Sequence, residues 1–273
     1  MRIKYSLIYI LIFFGCSTHE ELVIKDNTIL TENSTVLLSS DNIVVAHRGA
    51  WKKNKLPENS IASLNEAIRL KCNGSEFDIQ LTADDSLVVC HDPTFNKLII
   101  QNSNYSELMN FTLSNGERLP TLREYILAAK KNNSTTKLFC ELKNYGLSSQ
   151  RRTVYVIKTL MTTQQLNANY LMVFISFDYE ILKQIRLLNP TINIQYISGN
   201  ISPEKLKVDK ITGADYNVGV FRDNISWIDI AKSNNVELNT WTLNTIFDLD
   251  WAIEKKFDYI TTDEPELLFS RLK

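Results

Sequence analysis

The strongest constraint on this chain is an alternation of short β-like runs with helical stretches, sustained from residue 43 to the C-terminus. Ile43 to Ala46, Glu76 to Leu81, Leu87 to Cys90, Lys137 to Leu142, Tyr170 to Ile175, Ile192 to Ile197, Asp215 to Val220, Val236 to Trp241 and Asp258 to Ile260 read as strands. Between them, Ser60 to Lys71, Thr121 to Lys131, Ser148 to Leu166, Tyr179 to Leu188, Ser226 to Asn234, Ile246 to Lys255 and Glu264 to Leu272 read as helices. Ser60 stands where it can cap the first of these. Such an order demands a parallel sheet with helices outside it. An open, doubly wound sheet also fits, but no Gly-x-Gly-x-x-Gly follows the first strand, and eight glycines leave little room for one. About eight strand–helix units, with polar residues at several strand ends, favour an α/β (β/α)8 TIM barrel with a small insertion after the second strand.

The polar strand ends carry the chemistry. Of three histidines, two close apolar runs: His47 in Ala46-His47-Arg48-Gly49 and His91 in Cys90-His91-Asp92. Glu76 and Asp78 lie two residues apart on one strand, so they share a face. Unpaired at close range, they would raise each other's pKa; a hard divalent cation, Mg2+ or Ca2+, resolves the repulsion, with Glu141 as a third oxygen donor. The absence of a His- or Cys-rich ligand set argues against zinc. The same spacing also suits two solvent-facing residues of an edge strand. Two imidazoles near neutrality can remove and return a proton, and Arg48 and Lys143 can hold phosphate oxygens. Together these residues are the components of metal-assisted phosphate-ester cleavage. Cys90 and Cys140 adjoin candidate residues, but alternation turns them to the opposite side of their strands. With Cys72 they read as small buried hydrophobes.

Net charge of −1 argues against a nucleic-acid partner, so any anion preference must be local. A basic start, Met1 to Lys4, precedes an apolar run, Tyr5 to Phe14, too short to span a bilayer. Gly15-Cys16 then resembles a bacterial lipoprotein processing site, with Cys16 carrying the lipid. An ordinary secretory signal with a chance cysteine is the alternative. The expected organisation is a signal peptide over 1–15, a polar tether over 16–42 and a catalytic barrel over 43–273. The expected location is the cell envelope, lipid-anchored to a membrane at the periplasmic or outer surface.

Several motifs in order carry a family resemblance: His47-Arg48-Gly49, Pro57-Glu58-Asn59-Ser60, Gly74-Ser75-Glu76-Phe77-Asp78, His91-Asp92, Leu119-Pro120-Thr121-Leu122 and Glu141-Leu142-Lys143. Ser176-Phe177-Asp178, Trp241-Thr242-Leu243-Asn244 and Ile260-Thr261-Thr262-Asp263-Glu264-Pro265 complete the series. The chain resembles the glycerophosphodiester phosphodiesterase family from about Ile43 to its end. The resemblance implies a barrel with its site at the C-terminal rim and hydrolysis of small glycerophosphodiesters to sn-glycerol 3-phosphate and an alcohol. It implies His47 and His91 as the acid/base pair, which of them is base first being left open. Glu76, Asp78 and Glu141 would bind the divalent metal, Arg48 and Lys143 the phosphate, and Trp241 would line the substrate pocket. In the family's scheme, the hydroxyl next to the ester attacks phosphorus and water opens the cyclic phosphate. Departures are Asp85-Ser86 in place of a hairpin glycine, Lys71-Cys72-Asn73 before the acidic strand, and a short, Asn-rich Pro93 to Arg118 insertion, which bears on head-group choice. Two rival functions remain: a phospholipase-type, lysophospholipase D-like enzyme on intact lipids, and a non-catalytic lipoprotein that binds phosphate esters. Products formed from glycerophosphocholine, compared with those from lysophospholipid, separate them.

Overall fold

Eight parallel strands close on themselves: β1 (Val44–Ala46), β2 (Gly74–Leu81), β6 (Lys137–Leu142), β7 (Met172–Ser176), β8 (Asn193–Tyr196), β9 (Gly213–Asn217), β10 (Glu237–Trp241) and β11 (Tyr259–Thr262). Closure comes from β1, which pairs with β11 on one side and β2 on the other. The computed structural model of the chain describes residue 37 and residues 40–273. The expected signal peptide and Cys16 lie outside the described residues, as does most of the expected tether. Asn42, at the end of that tether, is already tied to the barrel: its side chain accepts from the backbone N–H groups of Val44 and Asn73 and donates to the Lys71 carbonyl. No helix among the described residues is long and apolar enough to cross a membrane.

The remaining strands belong to the segment between β2 and β6. There, β3 (Leu87–Val89) runs back antiparallel to β2, and β4 (Thr94–Phe95) and β5 (Leu98–Ile99) form a hairpin, followed by the short helix α2 (Tyr105–Leu108). This insertion has its own small core of Val88, Ile100, Leu108 and Leu119. Leu87–Val89 is thus a hairpin return strand rather than a barrel stave.

Outside the barrel lie α1 (Ile61–Arg69), α3 (Leu122–Ala129), α4 (Ser149–Gln165), α5 (Tyr179–Leu188), α6 (Pro203–Val208), α7 (Val218–Asp223), α8 (Ser226–Ser233), α9 (Ile246–Glu254) and α10 (Pro265–Arg271). Their starts are chemically marked. Ser60 caps α1 by accepting from Ser63 N–H, and Thr121 and Glu124 form a reciprocal capping box on α3. The carboxylate of Glu117, from the insertion, accepts from the backbone N–H groups of Ile61 and Ala62 and so clamps the insertion to the first turn of α1. Two helices escape the sequence reading. Val218–Asp223 looks strand-like because of Val218 and Val220, but Asn217 accepts from Gly219 N–H and starts a helix, so β9 ends there. The Ser202-Pro203-Glu204 start of α6 carries a helix N-terminus signal, with proline at the first helical position.

Period-two alternation divides the apolar residues into two cores. Val44 and Ala46 face the helices, whereas Val45 joins Phe139, Val173, Ile175, Ile197 and Tyr259 inside the barrel. Gly74 and Gly213 have no side chain because none fits: a Cβ would lie 2.5 Å from the Phe139 ring and 2.6 Å from Gln195, respectively. The interior also holds a polar chain. Lys137 Nζ donates to Tyr259 OH (3.0 Å), which donates to Glu237 (3.4 Å); Gln195 donates to the other Glu237 oxygen (3.0 Å). Asn239 donates to Gln195 (3.3 Å), and Thr261 to Asn239 (3.2 Å).

Candidate active site

The C-terminal ends of the strands open into a cavity of about 160 Å³ lined by residues from all eight staves or the loops that follow them, among them His47, Arg48, Glu76, His91, Glu141, Lys143 and Trp241. Sheet register explains the acidic cluster. β2 and β6 pair with Asp78 opposite Glu141, so these two carboxylates share a face, and Glu76 lies one step down the same face of β2. Oxygens of Glu76, Asp78 and Glu141 lie within 4.8 Å of one another, and all three residues are buried. Cys140 and Phe77, paired on the opposite face, point into the helix layer, as alternation requires.

Burial and mutual repulsion act strongly here. Burial, then the charges of Asp78 and Glu141, push Glu76 well above the usual carboxylate range. Burial and the Asp78 charge push Glu141 up to about 8. Asp78 goes the other way. Burial opposes its charge, but Lys143, His91, the Asn59 amide and Arg48 more than offset it. Asn59 donates to Asp78 Oδ2 at 2.9 Å and accepts from its backbone N–H at 3.0 Å. Lys143 Nζ lies 3.0 Å from Glu141 and 3.4 Å from Asp78; burial pulls its pKa down, and these two acids reverse the sign.

Three close, buried acids with two of them driven toward protonation are a donor set short of positive charge. Metal–oxygen distances of roughly 2.0–2.6 Å place two ligands of one ion up to about 5 Å apart, so this spacing fits a hard divalent cation.

Each histidine is held by a carboxylate. His47 leaves β1 next to the end of β11, and its Nδ1 lies 2.7 Å from Asp263 Oδ1. Burial would raise Asp263, but the bond to His47 outweighs it and the acid stays ionised at lower pH than usual. It therefore accepts, Nδ1 carries the hydrogen, and Nε2 faces the acids, 4.0 Å from Glu76. Asn244 donates to the other oxygen of Asp263 at 2.6 Å and fixes its orientation. His91 Nδ1 lies 2.8 Å from Asp92, an exposed partner. The loop bearing His91 is gripped by one amide: Gln80 Nε2 donates to the carbonyls of Cys90, His91 and Asp92. Tyr145 OH also donates to the His91 carbonyl, at 2.6 Å.

Arg48 adopts a left-handed backbone (φ 55°) that aims its N–H at Glu76 Oε2, 2.8 Å away. Its guanidinium is bound by Glu58 at 2.6 Å. The Trp241 indole donates to the Asp215 carbonyl at 2.9 Å and meets Phe177 edge-on, forming one wall. All eight residues singled out from sequence thus converge on one mouth. Asp263, Asn244, Asn59 and Glu58 lie in the family motifs, but sequence alone assigns them no role; Asp263 joins His47 only through the β1–β11 register.

A family model described as the glycerophosphoryl diester phosphodiesterase family matches residues 47–267. The chain belongs to that family. It is a phosphoric diester hydrolase by family, with glycerophosphodiester phosphodiesterases among its relatives. The glycerophosphodiester phosphodiesterase of Caldanaerobacter subterraneus is 27% identical over 85% of this chain and 98% of its own. A solved glycerophosphodiester phosphodiesterase from Parabacteroides distasonis is 35% identical, covers 86% of this chain and all of its own, and superposes with a TM-score of 0.81. An Oleispira antarctica phosphodiesterase, solved with its product sn-glycerol 3-phosphate, shares the fold at 22% identity and a TM-score of 0.72.

Proposed function

We propose that this chain hydrolyses small glycerophosphodiesters to sn-glycerol 3-phosphate and an alcohol, with His47 and His91 exchanging protons and Glu76, Asp78 and Glu141 holding a divalent cation. The observation that carries this reading is the meeting of two carboxylate-bound imidazoles and a buried acidic triad in one cavity. A bound cation would polarise phosphoryl and hydroxyl oxygens and offset developing charge. Arg48 and Lys143 hold the non-bridging oxygens and favour the more highly charged transition state. One imidazole takes the proton of the glycerol hydroxyl next to the ester. That oxygen bonds to phosphorus, the bond to the head-group oxygen breaks, and the other imidazole protonates the departing alkoxide. Water then opens the cyclic phosphate with the two roles exchanged. Asp263 keeps the Nε2 of His47 free for this exchange. Fixed to Asp92 and held by Gln80, His91 reaches the same cavity.

The test is release of sn-glycerol 3-phosphate from glycerophosphocholine and glycerophosphoethanolamine, beside lysophospholipid, with Mg2+, Ca2+ and chelator compared. Activity on the deacylated diesters, lost in chelator and restored by one of the ions, is the expected result. Turnover of lysophospholipid alone, or full activity after exhaustive chelation, contradicts the substrate or the metal role, respectively.

A further inference from the structure

Asp215 is a buried acid for which the reaction above has no use. It lies on β9, four staves from β2 in either direction round the closed sheet, so it faces Glu76 from across the barrel mouth. It is 2% exposed, and its Oδ1 is buried without a hydrogen-bond partner. Its polar neighbours are engaged elsewhere. Asn239, beside it in register, is committed to Gln195 and Thr261. The Trp241 indole binds the backbone carbonyl of Asp215, not its carboxyl. Between Asp215 and the cationic side of the cavity stand the apolar walls of Ile175 and Ile197. A buried carboxyl without a partner costs stability unless something completes it. Here the open side is the substrate cavity.

We propose that Asp215 is a specificity-determining residue that hydrogen-bonds the free terminal hydroxyl of the substrate's glycerol, the one farthest from phosphorus. This rests on the substrate reading given above. The phosphate must sit at the Arg48 and Lys143 side, where its charge has cationic partners and Asp215 offers none; the three-carbon chain then runs past Ile175 and Ile197, and its far hydroxyl arrives at Asp215. Burial pushes this carboxyl up to about 8, so near neutrality it can donate as well as accept. An acyl ester at that hydroxyl removes the donor and leaves the carboxyl stranded, so the same contact selects deacylated substrates.

The experiment compares glycerophosphocholine with the phosphocholine diester of propane-1,2-diol, which lacks only the terminal hydroxyl and keeps the attacking one. The full chain should prefer the glycerol diester by on the order of 10²-fold in kcat/KM. Asp215→Leu should bring that ratio to within about threefold of unity, while Asp215→Asn, which keeps a donor and an acceptor, retains most of it. A wild-type ratio near unity overturns the proposal without any variant, as does an unchanged ratio in Asp215→Leu or a ratio lost equally in Asp215→Asn. Calorimetric binding of sn-glycerol 3-phosphate against propane-1,2-diol 1-phosphate gives the same comparison without turnover. Asp215-dependent preference in binding, with no hydrolysis of any glycerophosphodiester, would sink the proposed reaction and leave this site standing. Equal hydrolysis of both diesters would do the reverse.

Discussion

Replacing Asp263 by asparagine should harm the enzyme more than removing the side chain altogether. Asn244 donates its amide N–H to Asp263 Oδ2, while His47 Nδ1 donates to Oδ1. In Asp263→Asn, the new amide must offer its oxygen to Asn244 and turn its NH2 toward His47. Nδ1 is then forced to accept, the hydrogen moves to Nε2, and the nitrogen facing the reaction centre can no longer take a proton. An imidazole locked in the wrong tautomer costs on the order of 10³–10⁴ in kcat. Asp263→Ala forfeits a charge-assisted bond worth roughly 1.5–3 kcal/mol, or about 10- to 150-fold, but leaves the ring free to adopt either tautomer. The assay is kcat and kcat/KM on glycerophosphocholine, with circular dichroism to confirm folding. An alanine variant slower than the asparagine variant, or an asparagine variant within fivefold of the parent, refutes the tautomer argument.

Three further outcomes are expected. His91→Ala should cut kcat by about 10²–10⁴-fold with an unchanged Tm; near-normal turnover would remove it from proton transfer. In chelator, stability should fall as pH rises from about 4 to 8, because folded Glu141, at about 8, keeps a proton that the unfolded chain loses near ~4.3. Thermal melts should show that decline, and Mg2+ or Ca2+ at 100 times its Kd should add about 2.7 kcal/mol and flatten it; a pH-independent Tm in chelator contradicts the coupling. Cys16→Ser should move the protein from the membrane to the soluble fraction of its host, and unchanged partitioning would end the lipid-anchor proposal.

The sequence pattern reached far because a barrel repeats one rule. Alternation alone puts Glu76 and Asp78 on one face and turns Cys140 away from Glu141, while the closed sheet makes that shared face the inner one; strand β6 and helix α5 have the spans that the sequence pattern gives. What it missed depends on register between distant staves. Asp263 meets His47 only because β11 is the strand that closes onto β1, 216 positions away in the chain. Asp215 reads in sequence as the first residue of a strand, Asp215 to Val220; that it is an acid left without a partner is a property of everything packed around it. Leu87 to Cys90 has the local pattern of a stave, but the short polar turn before it marks a hairpin, and its pairing with β2 is antiparallel.

The chain of contacts from Lys137 to Thr261 has a consequence for how this barrel can change. Its members act as links: removing any single one strands the next, at roughly 1–3 kcal/mol. Variation there must come in matched sets, so the lower barrel should resist piecemeal repacking with aliphatic residues yet tolerate replacement of the whole row at once.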